Sequence, residues 1–230
     1  MYYCRKCIRV AVFSCFTAWA LNTNAQSYGN YDARKIITVS RDATGQGVAT
    51  WNLLYLDQLI HDLELHAGTY PPKFDSDLDQ KKAQDDLQKV IYLLGIMKDG
   101  RPSQNIMMRA ANIYRIAHNL NTPNAAEKAN SLYSELIAEY PSDPHIAFQY
   151  GVFLGEIGQL DQSIVNLNKA LTLGETHANF SLGMAYLAQG HQDQALSYLR
   201  AYKKNYPEDN NVEPIIEAIE SGQVKVVQHL

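Results

Sequence analysis

The chain has 230 residues, of which 46% are hydrophobic and 19% are charged, and its formal net charge is −4. This length and composition are typical of a folded protein with one or two domains. The negative net charge, without a long run of like charges, argues against a general nucleic-acid-binding role.

The first 25 residues have the layout of a secretory signal peptide. A basic start (Arg5 to Arg9) precedes an apolar run from Val10 to Leu21, and Thr23-Asn24-Ala25 offers small residues for cleavage after Ala25. The apolar run is shorter than the roughly 20 residues that a membrane-spanning helix needs. We therefore predict export, most simply to a bacterial periplasm, and no integral membrane span after cleavage. An uncleaved short anchor is the alternative.

All three cysteines, Cys4, Cys7 and Cys15, lie in this leader. Without it the chain has no thiol, which excludes cysteine catalysis and cysteine-ligated metal in the remainder. The residues before Cys15 loosely resemble a lipoprotein cleavage box, although Phe13 stands where a small residue is usual. A lipid anchor at Cys15 is thus a less favoured alternative to ordinary leader cleavage.

The next two segments differ in character. Residues 26–47 are polar and glycine-containing, which predicts a flexible lead-in with only Lys35–Ser40 resembling a strand. Residues 48–102 carry apolar residues at helical spacing, which predicts a helix from a Thr50 cap to His66 and another over Leu78–Met97. This helical region is interpreted as additional helices or as a degenerate repeat.

A repeated order of small and large residues follows. The small residues Ala117, Gly151 and Gly183 are 34 and then 32 residues apart, and a large residue precedes each of them. Small residues of the second helices (Ala129 and Ala195) and prolines that end those helices (Pro141 and Pro207) fall at matching places. On these residues the chain resembles the tetratricopeptide repeat family over about 110–209.

The resemblance implies an all-α fold, a right-handed α-solenoid of helix-turn-helix repeats. Three repeats (110–143, 144–175 and 176–209) would fill residues 103–209, and residues 210–230 would supply a capping helix and tail. The middle repeat is two residues shorter, with Gly174-Glu175 in place of proline and Ser163 in place of alanine. Its exit turn is therefore left open, and an irregular helical bundle is the alternative to the solenoid.

In such repeats the first helices line a concave face that binds a protein or peptide partner. Equivalent positions in the first helices of the three repeats carry aromatic residues, and apolar or polar residues lie near them. The predicted partner-binding residues are Tyr114, Arg115, His118, Phe148, Gln149, Val152, Phe180 and Met184. The lysine and asparagine clamp by which some family members hold a terminal carboxylate is missing here. The alternative is that the aromatic rings only pack between helices.

No catalytic motif accompanies the repeats. His61 and His66 are five residues apart, so on a helix the second ring points about 140° away from the first, unlike the four-residue spacing of a zinc helix. Phosphate-binding, nucleophile-elbow and dinucleotide motifs are absent from the sequence. We therefore expect no cofactor and no metal, and an adaptor in envelope assembly, secretion or quality control. The alternatives are an enzyme with its chemistry in residues 26–105 and a self-associating structural protein.

Overall fold

The computed structural model describes residues 27–96 and 102–224. The predicted leader with its cysteines, and the tail from Lys225, lie outside the described residues. The chain divides into two compact units at the Tyr133–Ser134 boundary. We call the described residues up to Tyr133 the first unit and those from Ser134 the second unit.

The described residues contain two strands and nine α-helices. The strands are β1 (Ile37–Arg41) and β2 (Gly47–Trp51), after a short 3-10 turn at Ala33–Lys35. The helices, in chain order, are α1 (Leu53–Ala67), α2 (Asp77–Ile96), α3 (Gln104–Asn119), α4 (Ala125–Glu139), α5 (Pro144–Glu156), α6 (Leu160–Thr172), α7 (Ala178–Ala188), α8 (Gln192–Asn205) and α9 (Val212–Glu220). The predicted all-α repeat fold is confirmed, with a strand pair added near its start.

The strand-like stretch Lys35–Ser40 of the predicted lead-in overlaps β1, and the pairing of β1 with β2 was not predicted. Strands β1 and β2 are antiparallel, with Val39 opposite Ala49. The turn between them closes on Asp42, whose carboxylate accepts hydrogen bonds from the backbone N–H groups of Thr44 (2.8 Å) and Gln46 (2.9 Å). The polar residues that suggested disorder are therefore the turn of a β-hairpin.

Helix α1 begins slightly later than predicted. Thr50 lies in β2, and the Asn52 side chain caps the helix by accepting a hydrogen bond from Tyr55 N–H at 3.3 Å. The first-unit core joins the buried side chains of the lead-in to those of α1, α2 and α3. Its largest fully buried members include Ile36, Leu56, Leu59, Leu63, Leu87, Ile113 and Ile116.

In the second unit, two helical hairpins are closed by the same pair of residue types. A Cβ atom on Gly151 would lie 2.7 Å from Leu167 Cγ, and one on Gly183 would lie 2.7 Å from Leu199 Cγ. Both leucines are buried. The glycines therefore let α5 approach α6, and α7 approach α8, more closely than any larger residue would.

The turns inside these hairpins use a left-handed glycine. Gly158 and Gly190 have φ of 78° and 81°, and the residue after each donates its N–H back to the helix, as in His191 N–H to the Tyr186 carbonyl at 2.9 Å. This is the Schellman arrangement that satisfies the last carbonyl groups of a helix.

The middle repeat ends by the same means. Gly174 has φ of 101°, and Glu175 N–H donates to the Ala170 carbonyl at 2.9 Å. Ser163, at the place of the usual alanine, is buried and donates its hydroxyl to the Gly151 carbonyl at 2.7 Å. The two departures of this repeat are thus a helix-ending turn and a hydrogen bond between α5 and α6.

Helix α9 covers the apolar end of the last hairpin. Its Val212, Ile216 and Ile219 pack with Leu187 of α7 and Leu199 of α8 in one buried cluster. Within the described ranges, no helix combines the length and apolarity that crossing a bilayer requires.

Candidate partner-binding face

The second unit brings together five of the predicted partner-binding residues, which lie on neighbouring helices α5 and α7. Each helix contributes two apolar side chains four residues apart, and such a spacing places them on one side of a helix. We call this set the α5–α7 face: Phe148, Gln149, Val152, Phe180, Ser181 and Met184. All six side chains are half-buried, so each keeps part of its surface available to a partner.

The rings of this face also pack within the unit. Phe148 and Val152 lie against the cluster that Leu167 and Leu182 form between α5, α6 and α7. Such packing restricts their rotamers, so contact with a partner would cost little additional side-chain entropy. Packing between helices therefore describes part of what these residues do, and partner binding in the groove stays a prediction.

Phe180 belongs to a row of aromatic rings that leads away from the face. Its ring centroid lies 5.3 Å from that of Tyr202, which lies 4.7 Å from Tyr206, and Tyr206 stacks on His177 at 4.4 Å. Aromatic pairs at these separations each contribute about 0.5–1.5 kcal/mol beyond burial of their area. The row ties the start of α7 to the end of α8 and fixes the Phe180 ring.

Polar contacts hold the His177 end of this row and its second ring, Tyr202. His177 Nδ1 lies 2.8 Å from Glu175 Oε1 and 3.2 Å from the Tyr206 hydroxyl. The Tyr202 hydroxyl donates to Asp209 at 3.0 Å. Burial, and then this hydrogen bond to Asp209, raises the pKa of Tyr202 to about 12. Tyr202 is thus a neutral hydrogen-bonding group at physiological pH.

The other three predicted residues belong to the first unit. Tyr114 is half-buried against the first-unit core, and His118 is half-buried in the last turn of α3. Arg115 is not a groove residue: it is buried, and its guanidinium donates to the Gly68 carbonyl (2.8 Å) and to Glu64 (3.2 Å). It secures α3 to α1, because a buried cation must be paired.

The first unit also contains a polar cluster that the sequence did not reveal. Asp62, nearly buried in α1, accepts hydrogen bonds from Gly29 N–H (2.8 Å) and from the Tyr31 hydroxyl (3.1 Å). Burial, followed by the charge of Asp62, raises the pKa of Tyr31 to about 12. The cluster anchors the start of the described chain to α1. The only sequence feature that could have indicated this cluster is Asp62 itself, a polar residue on the apolar side of a predicted helix.

The two histidines of α1 do not converge on a metal site. His61 is exposed, whereas His66 is buried with its ring stacked on Phe74 at 5.2 Å. His66 Nδ1 lies 2.8 Å from the Asp62 carbonyl, which can only accept, so this nitrogen carries the proton. Over the described parts of the chain, no three His, Cys, Asp or Glu side chains are grouped as metal ligands would be.

Comparisons with known proteins agree with this geometry. A family model for the tetratricopeptide repeat matches residues 177–209, which include Gly183 and its α7–α8 hairpin. Among solved structures, a thermophilic tetratricopeptide repeat protein from Thermus thermophilus has a similar fold. Its TM-score is 0.50 at 16% sequence identity, over 74% of this chain and 92% of that chain. No curated protein shows significant sequence similarity to the chain. The repeated glycine–leucine contacts, the family model matched by residues 177–209 and the similar solved structure together show that the chain contains a tetratricopeptide repeat and has the fold of tetratricopeptide repeat proteins.

Proposed function

We propose that the chain is an exported adaptor that holds a protein or peptide partner against the α5–α7 face. The observation that carries the proposal is the pairing of Phe148 and Val152 on α5 with Phe180 and Met184 on α7, all half-buried on adjacent helices. Stacked helical repeats commonly use such surfaces for protein recognition.

The physical character of the face favours a polypeptide ligand. Aromatic and methionine side chains are enriched in the cores of protein interfaces, and a few such residues carry most of the binding energy. Gln149 and Ser181 add hydrogen-bonding groups beside the apolar residues. An amphipathic or extended peptide with apolar anchors satisfies both kinds of group. Tyr114 and His118 remain predicted contributors from the first repeat.

The test uses charge placed on the face without disturbing the core. Met184 is half-buried, so Met184→Lys should keep the fold while placing an ammonium group where an apolar anchor is expected. Val165 on α6 is 68% exposed and outside the face, so Val165→Lys is a matched control. We expect photo-crosslinking from position 152 to capture a discrete protein in wild type and in the control but not in Met184→Lys.

Equal crosslinking in all three proteins would overturn the proposal, provided that their thermal melts agree. A Phe148→Ala, Phe180→Ala double variant gives a second readout, because it removes the anchors without adding charge. If these two rings are the central anchors, the expected effect is a loss of at least about tenfold in affinity, since truncating a hot-spot residue costs about 2 kcal/mol or more.

The proposed cellular role is envelope assembly, secretion or protein quality control outside the cytoplasm. It is supported by the leader-like first 25 residues, with their basic start and apolar run. Cell fractionation and N-terminal sequencing test it: export with cleavage predicts an extracytoplasmic protein that begins at Gln26. A protein recovered from the cytoplasm with Met1 intact would contradict it.

A further inference from the structure

The hairpin of the first unit has an open strand edge. Backbone hydrogen bonds from Asn52 N–H to the Ile36 carbonyl (2.8 Å) and from Asp42 N–H to the Gln46 carbonyl (2.9 Å) set the pattern of the ladder. Because hydrogen-bonded pairs alternate in an antiparallel ladder, Ile37, Val39 and Arg41 direct their N–H and C=O groups outward. No backbone group among the described residues bonds to these outward groups. The β1 edge can therefore accept another strand.

An apolar groove adjoins this edge. It has a volume of about 470 Å³ and lies between the start of the hairpin and the second half of α2. Its apolar wall comprises Ala33, Ile37, Tyr92 and Leu93. Ile37 belongs to both the edge and the groove, and no residue of β2 lines the groove, so the groove lies on the β1 side of the hairpin. A strand added to β1 would thus present side chains to it.

The charged side chains of the groove have one sign. Arg34 and Lys89 line it, and no acidic residue does. Their carboxylate partners are Asp32, at 2.8 Å from Arg34, and Asp86, at 2.9 Å from Lys89. The side chains of Asp86 and Asp32 are 8% and 34% exposed, whereas those of their partners Lys89 and Arg34 are 50% and 90% exposed. The cation is therefore the more exposed member of each pair.

We propose that the β1 edge and this groove form a second peptide site, which binds an extended segment by strand addition. The segment that fits carries an apolar side chain for the groove and acidic residues on either side of it for Arg34 and Lys89. Main-chain hydrogen bonds to the edge would supply affinity, and the groove would supply specificity. This site is separate from the α5–α7 face and does not depend on the function proposed for it.

The experiment uses a fluorescein-labelled synthetic peptide of sequence Val-Asp-Thr-Leu-Thr-Asp-Val, in which the leucine and both aspartates share one face of the strand, and fluorescence anisotropy with the full chain. We expect saturable binding, about tenfold weaker binding of a peptide with lysine in place of both aspartates, and weakening by added salt. A peptide in which the leucine and both aspartates are N-methylated should lose binding, because these groove-facing residues direct their N–H groups to the β1 edge. Equal binding of the acidic and basic peptides, or no binding of either, would overturn the proposal.

Two pairs of variants locate the site on the protein. Val39→Pro removes an outward N–H of β1, and Ala49→Pro removes the equivalent outward N–H of β2, so neither breaks a hydrogen bond inside the hairpin. Tyr92→Ala removes an exposed ring of the groove, and Tyr70→Ala removes a similarly exposed ring elsewhere in the first unit. We expect about tenfold weaker peptide binding in Val39→Pro and Tyr92→Ala, and unchanged binding in the two controls.

The same proteins separate this proposal from its competitors. Sedimentation equilibrium without peptide would reveal a dimer if a second copy of the chain occupied the β1 edge. The proposal would be overturned if the wild-type protein formed a dimer that Val39→Pro abolishes and did not bind the peptide. If Met184→Lys weakened peptide binding and Val39→Pro left it unchanged, the peptide would bind to the α5–α7 face. This result would also overturn the proposal. Unchanged peptide binding in Met184→Lys supports the site at the β1 edge, and this result does not depend on whether the proposed adaptor function is correct.

Discussion

Replacing Gly183 by alanine tests the contact that closes the last repeat. The new Cβ would lie 2.7 Å from Leu199 Cγ, 2.9 Å from Leu199 Cδ2 and 3.3 Å from the Ala195 carbonyl oxygen. Carbon atoms prefer separations of about 3.5–4.0 Å. Leu199 is fully buried and cannot swing aside, so α7 and α8 must move apart.

Two opposing terms determine the size of the effect. Overpacking a tightly packed core costs about 1–3 kcal/mol, while alanine is favoured over glycine in a helix by up to about 1 kcal/mol. We therefore expect Gly183→Ala to lower the free energy of unfolding by about 0–3 kcal/mol. Gly95 in α2 is the control, because a Cβ there would have no neighbour within 4 Å. Gly95→Ala keeps the favourable term alone and should raise stability by up to about 1 kcal/mol.

Urea unfolding followed by circular dichroism measures both variants. A double-mutant cycle with Leu199→Ala then assigns the cause, because removing the leucine also removes the clash. Gly183→Ala should become neutral or favourable in that background, with a coupling energy of about 1–3 kcal/mol. If Gly183→Ala stabilised the wild-type protein as much as Gly95→Ala does, the close approach of α7 and α8 would be refuted.

Three further substitutions have expected outcomes. Ser163→Ala should lower the free energy of unfolding by about 1 kcal/mol in urea titrations, because it removes the 2.7 Å hydrogen bond to the Gly151 carbonyl; an unchanged midpoint would contradict a role for that bond. Gly190→Ala should cost about 1–2 kcal/mol in the same assay, since its φ of 81° is unfavourable for residues with a Cβ, and Gly190→Asn should cost less. Tyr31, with its pKa raised to about 12 by burial and by Asp62, stabilises the fold below about pH 10. This contribution is lost as pH rises towards 12, and melting curves of Tyr31→Phe should show a smaller alkaline loss than wild type.

The sequence predicted the helices well because their signals are local. Small residues at a period near 34 are enough to place the repeats 144–175 and 176–209, and each range contains one observed helix pair, α5 with α6 and α7 with α8. Gly183 was recognisable because the close helix contact requires a residue without a side chain, and glycine is that residue. Such positions can be predicted without knowing which atoms they touch.

Features that depend on distant parts of the chain could not be predicted in this way. Arg115 occupies a groove position in its repeat, yet its partners are Glu64 of α1 and the Gly68 carbonyl just after that helix, which the repeat pattern does not contain. Of the hairpin, the sequence predicted only the strand-like Lys35–Ser40, which overlaps β1, and β2 was missed for a related reason. The strands of the hairpin are short and largely exposed, so they lack an alternating apolar pattern, and the packing of Ile36 in the first-unit core positions them.

Gly151 and Gly183, together with the turns that end their repeats, show that the helix contact within a repeat does not depend on the number of residues in that repeat. Gly151 with Leu167, and Gly183 with Leu199, give the same 2.7 Å approach although the repeats differ in length. The longer repeat ends at Tyr206, the residue before Pro207, which leaves the helical conformation with φ of −131° and ψ of 66°. The shorter one ends at Gly174, with φ of 101°. A left-handed residue redirects the chain in one step, so the middle repeat can omit two residues without changing its helix contact.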